Sequence, residues 1–217
     1  MNQRRTLVLI PALTLAIAGC ASEGQLVVEG GGAGITAVRS ACPAVGIPDY
    51  TGDVTVFARA GDTTADNVDM TAALTNLRST CDDSGDKVYT QATFDVLATR
   101  SDPRGARSVA VPYFATVLQG GSAVQAKRIG TVTVQFADGQ SRAQASAQTG
   151  AFVDRAAATL PADIRERITR KRKPGDPDAA LDPLADPQVR AALQRATFEV
   201  LIGFQLTEAQ LAYNATR

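Results

Sequence analysis

From Val54 to Phe136 the apolar residues recur at every second position. Val68, Met70, Ala72 and Leu74 alternate with polar neighbours, as do Val88, Ala92, Phe94, Val96 and Ala98, and later Val132, Val134 and Phe136. Successive side chains of a strand point to opposite faces, so a period of two specifies sheets with one buried and one wet face. Turn signals separate the runs: Asp82-Asp83-Ser84-Gly85-Asp86, Ser101-Asp102-Pro103-Arg104-Gly105, Gln119-Gly120-Gly121-Ser122 and Ala137-Asp138-Gly139-Gln140. The pattern predicts about seven strands, near 53–59, 67–76, 87–99, 107–118, 124–136, 141–149 and 197–206. Short antiparallel strands joined by tight turns make an all-β fold, an immunoglobulin-like or fibronectin-like sandwich. An up-and-down barrel is the alternative.

Particular stretches refine this picture. Val109 to Leu118 is apolar on both parities and reads as a central strand, with Pro112 marking a bulge or a strand entry because it has no N–H to donate. Residues 141–148 alternate alanines with polar side chains and read as a weak edge strand. Residues 150–196 break the period. Ile164 and Ile168 share a helical face, Asp163 lies in the first turn and Arg170 to Lys173 in the last, before Pro174-Gly175-Asp176-Pro177. Asp186-Pro187 opens a second short helix with Val189 and Leu193 on one face. Thr207 with Gln210 forms a capping box, so a C-terminal helix starts near Glu208.

The N-terminus supplies an address. Arg4 and Arg5 precede an apolar stretch of about a dozen residues, short of the about 20 that span a bilayer, and Leu15-Ala16-Ile17-Ala18-Gly19-Cys20 reads as a lipobox. Cleavage before Cys20 leaves a thiol that accepts lipid, and several acyl chains hold a membrane far better than one. Residues 1–19 are then a lipoprotein signal peptide and 20–41 the lipidated cysteine with a glycine-rich tether. Residues 42–206 form the sandwich domain, with a helical insertion at 150–196, and 207–217 the terminal helix. Ala21 and Ser22 carry no acidic residue. Among bacterial lipoproteins that pattern implies the outer membrane, facing the periplasm.

Setting Cys20 aside leaves Cys42 and Cys81, an even pair in an oxidising compartment, which predicts a disulfide. If residues 54–58 and 68–74 form a hairpin turning near Gly61-Asp62, facing residues have numbers summing to about 123. Cys42 and Cys81 meet that sum.

Composition narrows the chemistry. The chain of 217 residues has no histidine, which excludes Ser-His-Asp and Cys-His nucleophile systems and His-ligated zinc. Loss of residues 1–19 removes Arg4 and Arg5 and no acid, leaving 20 basic against 22 acidic residues, so there is no global field for nucleic acid. Asp82, Asp83 and Asp86 do not fit an EF-hand loop, because Thr93 stands where the closing Glu belongs. No metal site and no cofactor are expected. The basic run Arg170, Lys171, Arg172 and Lys173 is a candidate contact with an anionic surface, against the simpler reading of a solvated helix end. Pro112, Tyr113 and Phe114 are a candidate binding groove, against the simpler reading of core residues.

Several stretches together resemble an uncharacterised family of bacterial lipoproteins, mainly alphaproteobacterial. They are Cys42-Pro43, Val111-Pro112-Tyr113-Phe114, and Phe198 to Thr207 ending at Tyr213-Asn214. The resemblance implies export and lipid anchoring and supplies no catalytic residues. The functional expectation is a non-enzymatic binding or assembly module of the cell envelope with an envelope protein partner. A carboxylate-based hydrolase and a carrier of a small apolar ligand are the alternatives. A closed barrel with a cavity favours the carrier, and a filled two-sheet sandwich favours a protein partner.

Overall fold

The computed structural model describes residues 40–217, so the leader, Cys20 and nearly all of the tether lie outside the described residues. Eight strands form two four-stranded sheets. In chain order the elements are β1 (Ala44–Gly46), β2 (Asp53–Phe57), β3 (Val68–Asp82), β4 (Lys87–Arg100), β5 (Arg107–Gln119), β6 (Ala123–Phe136) and β7 (Arg142–Asp154). There follow α1 (Arg155–Ala158), α2 (Ala162–Thr169), α3 (Pro187–Ala196), β8 (Phe198–Phe204) and α4 (Glu208–Thr216). One sheet runs β1-β8-β5-β6 and the other β2-β3-β4-β7. Every pairing is antiparallel except β1 with β8. This is the expected β-sandwich.

The period-two positions form its interior. Met70, Ala72 and Leu74 of β3 and Val88, Ala92, Phe94, Val96 and Ala98 of β4 are buried, facing Val132, Val134 and Phe136 of β6 and Ile202 and Phe204 of β8. A fully buried side chain of this size stabilises the fold by roughly 1.5–3 kcal/mol, so this face decides the architecture. β5 is central, as its two-parity apolar run predicts, and β7 is an edge strand.

Four expectations need correction. A strand that the alternation does not show, β1, pairs in parallel with β8 through only Ala44, Val45 and Gly46. Pro112 makes neither a bulge nor a strand entry: it lies opposite Thr131 within β5, and the register shift falls at Val117/Leu118. Its carbonyl accepts from Gln205 N at 2.9 Å, just past the end of β8, so the missing N–H faces the side where the β8 ladder has finished. The β2–β3 hairpin pairs Asp53 with Ala73 and Val56 with Met70, three residues off the expected register, because a 3-10 turn at Ala65–Asn67 consumes residues before β3. Cys42 therefore reaches Cys81 from outside that ladder.

The fourth correction concerns the helical excursion. β7 continues to Asp154, and α2 ends at Thr169, so Arg170 to Lys173 lie beyond the helix. Ile164 and Ile168 of α2 meet Val189 and Ala192 of α3 in a second, small core. Asp186 caps α3 by accepting from Gln188 N and Val189 N, with Pro187 at its first position. The Thr207–Gln210 capping box opens α4 as expected.

Candidate functional site

The N-terminal root is locked at once. Cys42 and Cys81 are disulfide-bonded, with their Cα atoms 6.1 Å apart. Cys42 stands two residues before β1, and Cys81 lies on β3 of the other sheet, so the bond ties the two layers together. Force arriving through residues before Cys42 passes to the fifteen-residue β3 instead of peeling the three-residue β1.

Strand alternation splits the Pro112-Tyr113-Phe114 trio. Tyr113 is core, edge-on to Phe94 at 5.0 Å, and its hydroxyl donates to Gln148 O at 3.3 Å, whereas Pro112 is exposed and Phe114 half-buried on the outer face. The three residues therefore line no common groove. On that outer face Gly203 of β8 is indispensable: a Cβ there would stand 2.2 Å from Thr51 Oγ1 and 3.0 Å from Phe114 Cζ.

Thr51 belongs to a turn that is braced from several sides. Its N–H and its hydroxyl both donate to Pro48 O, and its carbonyl accepts from Phe204 N at 2.8 Å. Buried Asn214 of α4 donates both amide hydrogens, to Tyr50 O and Asp53 O, each at 2.8 Å. Tyr213 packs edge-on to Phe57 at 5.2 Å, and Arg217 ion-pairs with Asp53, pinning α4 over β2. What this bracing holds up is Tyr50. Its φ is 64°, in the left-handed region that costs a non-glycine residue about 1–2 kcal/mol, and its side chain is 56% exposed. The turn thus holds a residue in a sparsely populated conformation with its ring in solvent. In the sequence its only trace is the turn chemistry of Gly46, Pro48 and Gly52 around it.

The basic run is largely engaged within the fold. Arg172 is buried at 4% exposure, bonding Asp178 Oδ2 at 3.3 Å and Arg167 O at 3.1 Å, and Arg170 also bonds Asp178. Burial works against the Asp178 charge, but the two guanidinium bonds outweigh it and hold its pKa below the usual carboxylate value. Only Lys171 and Lys173 of the four remain outward and without an acidic side-chain partner. Among the described residues no group of three or more acidic, histidine or cysteine side chains is arranged to hold a metal ion.

No protein-family model, no curated protein and no solved structure matches the chain.

A second surface escaped the sequence reading. The outward side chains of β4 from Tyr89 to Thr99 stand beside those of β7 from Arg142 to Phe152, paired in register without a bulge. At one end Tyr89 and Phe152 stack, centroids 4.6 Å apart at 31°, and Phe152 is 65% exposed. Next, Gln91 Nε2 donates to Gln148 Oε1 at 3.2 Å. Further along, Asp95 accepts from Ser146 at 2.6 Å and from Asn76 at 2.8 Å. Those bonds, with one from Gln144, keep its pKa below the usual range. Leu97, Thr99, Arg142 and Gln144 border an open cleft of about 520 Å³ at the far end. The signal was present in the alternate positions of these strands, but polar outward residues are also what any wet sheet face shows.

Proposed function

We propose that this chain is a lipoprotein held through Cys20 at the periplasmic face of the outer membrane, where it binds or assembles with another envelope component and is not an enzyme. The observation that carries the binding role is Tyr50, an exposed ring on a left-handed backbone cross-braced by Asn214, Thr51 and Gly203. A fold keeps a strained aromatic in solvent when the ring has work outside the fold. The root disulfide supports the anchored role, since it transfers load from the tether to the long β3. Two separate sheets with interdigitated side chains between them weigh toward a protein or polymer partner over a carried apolar ligand.

Two measurements test this. Metabolic labelling with a clickable fatty acid is expected to mark the wild-type chain and to fail for Cys20→Ser. A photo-crosslinking residue at position 50 of the native lipoprotein is expected to capture an envelope component, whereas one placed at Gln135, exposed near the end of β6, does not. Labelling of Cys20→Ser at the wild-type level, or equal capture from both positions, overturns the proposal.

A further inference from the structure

The strip on β4 and β7 fits a definite ligand chemistry. We infer that it is a binding face for an uncharged glycan strand, of the kind a cell wall presents, with Phe152 and Tyr89 as the stacking platform and Gln91 and Gln148 as the hydroxyl-reading pair. This rests on the reading of the chain as an envelope module and names the ligand class of a face distinct from the Tyr50 corner.

Phe152 is 65% exposed, and its ring lies against Tyr89, which extends over Gly150, where a Cβ would meet the Tyr89 hydroxyl at 2.6 Å. Two rings stacked in this way present an apolar surface with electron-rich faces, suited to the weakly positive C–H face of a pyranose ring. The glutamines follow two residues on. With Gln91 Nε2 bonded to Gln148 Oε1, Gln91 Oε1 and Gln148 Nε2 stay open, an acceptor beside a donor. A sugar hydroxyl both donates and accepts, so it satisfies that couple at one position.

Charge decides against other occupants. Along the paired outward positions from Tyr89–Phe152 to Thr99–Arg142 the only charged side chains are Asp95 and Arg142, and the neighbouring β3 adds Arg78 opposite Thr93 and Asp82 opposite Tyr89, so the charges on this face balance, two of each sign. Asp95 is already taken up by Ser146 and Asn76. An anionic lipid surface or a charged peptide finds little there to neutralise it, whereas a neutral polyol needs no counter-charge. The strip runs ten residue steps, roughly 33 Å at about 3.3 Å per residue, and its straight ladder has no register shift, as a stiff linear chain requires.

The test uses the mature lipoprotein in detergent micelles and purified, protein-free, insoluble cell-wall glycan. Saturable co-sedimentation is expected, with the half-saturation concentration about tenfold higher for Phe152→Ala, as the loss of one aromatic contact predicts, and near wild type for Phe152→Tyr. Gln91→Ala with Gln148→Ala is expected to weaken binding as well, and Gln135→Ala, exposed on β6 of the other sheet, to leave it unchanged. Soluble neutral oligomers of N-acetylglucosamine should compete, and free stem peptides should not. Absence of saturable binding, wild-type binding by Phe152→Ala at an unchanged melting temperature, or competition by the peptides alone overturns the inference. Glycan binding is read in micelles with no protein partner present, whereas lipidation is read by labelling of Cys20 and partner capture by crosslinking at position 50, so failure of this inference and failure of the proposed function are distinguished.

Discussion

Tyr50 and Asn214 show how a few atoms set the character of the candidate site. An aromatic L-residue at φ 64° carries about 1–2 kcal/mol of steric cost, and glycine removes it while adding about 0.5–1 kcal/mol of backbone entropy loss on folding. Tyr50→Gly is therefore expected to be more stable than the parent by about 0.5–1 kcal/mol in urea unfolding, with an unchanged m-value, and yet to lose its partner. A stabilising change that abolishes binding is the mark of strain retained for function. Asn214 acts in the opposite sense. Both amide hydrogens are committed to backbone carbonyls, so Asn214→Asp, equal in size but unable to donate, leaves Tyr50 O and Asp53 O facing an acceptor. The expected loss is about 2 kcal/mol, measured by the same unfolding curves. Neither role was legible in the chain. Asn214 stands in the sequence only as the end of the stretch closing at Tyr213-Asn214, and its partners lie more than 160 positions earlier.

At the scale of single elements, two glycines facing tyrosines behave differently because of which side of the sheet they occupy. Gly130 of β6 lies opposite Tyr113, and a Cβ there would stand 2.4 Å from Tyr113 Cζ, inside the core where Phe94 blocks any retreat. Gly150 of β7 lies under the hydroxyl end of Tyr89 on the wet face, which can swing away. Gly130→Ala is expected to cost about 1–3 kcal/mol, the usual range for overpacking, and Gly150→Ala clearly less, as a comparison of denaturant midpoints will show. Period-two alternation made β3 through β7 legible because each buries one face, and capping chemistry did the same for α3 and α4. β1 was not, since three residues paired in parallel to a distant β8 leave no periodic trace. The end of α2 was missed for a different reason. A basic run suits a helix dipole, but Arg172 turns inward to Arg167 O and Asp178, and those bonds draw the chain out of the helix after Thr169.

For the whole molecule, the question is what keeps two separately hydrogen-bonded sheets in register, and two braces on one strand supply much of the answer. Cys81 lies near the end of β3 and Asp69 near its start, roughly 40 Å apart along an extended strand. Cys81 is tied to Cys42, at the root of the β1 layer, and Asp69 takes both guanidinium nitrogens of Arg107 on β5 at 2.7 and 2.6 Å. The disulfide is legible from cysteine number and the expected compartment, whereas the ion pair joins residues whose proximity only the packed sheets create. Closing the loop between cysteines 39 apart stabilises the fold by about 4 kcal/mol in the chain-entropy model. The half-exposed ion pair, geometrically ideal but in contact with water, contributes about 1 kcal/mol. The Arg107 bonds hold the Asp69 pKa below its ordinary value, so its contribution is present above the unfolded pKa of about 3.9 and is lost as pH falls through the folded value. Replacing both cysteines by serine should therefore cost about the same at pH 7 and pH 3, whereas Asp69→Asn should cost about 1 kcal/mol at pH 7 and progressively less below pH about 4. Because the braces share no partner and stand far apart, the triple variant should lose the sum of the two to within about 0.5 kcal/mol. Urea unfolding of the four proteins at both pH values measures this. A shortfall beyond that margin at pH 7 would show that the sheets part as one unit once either brace is gone.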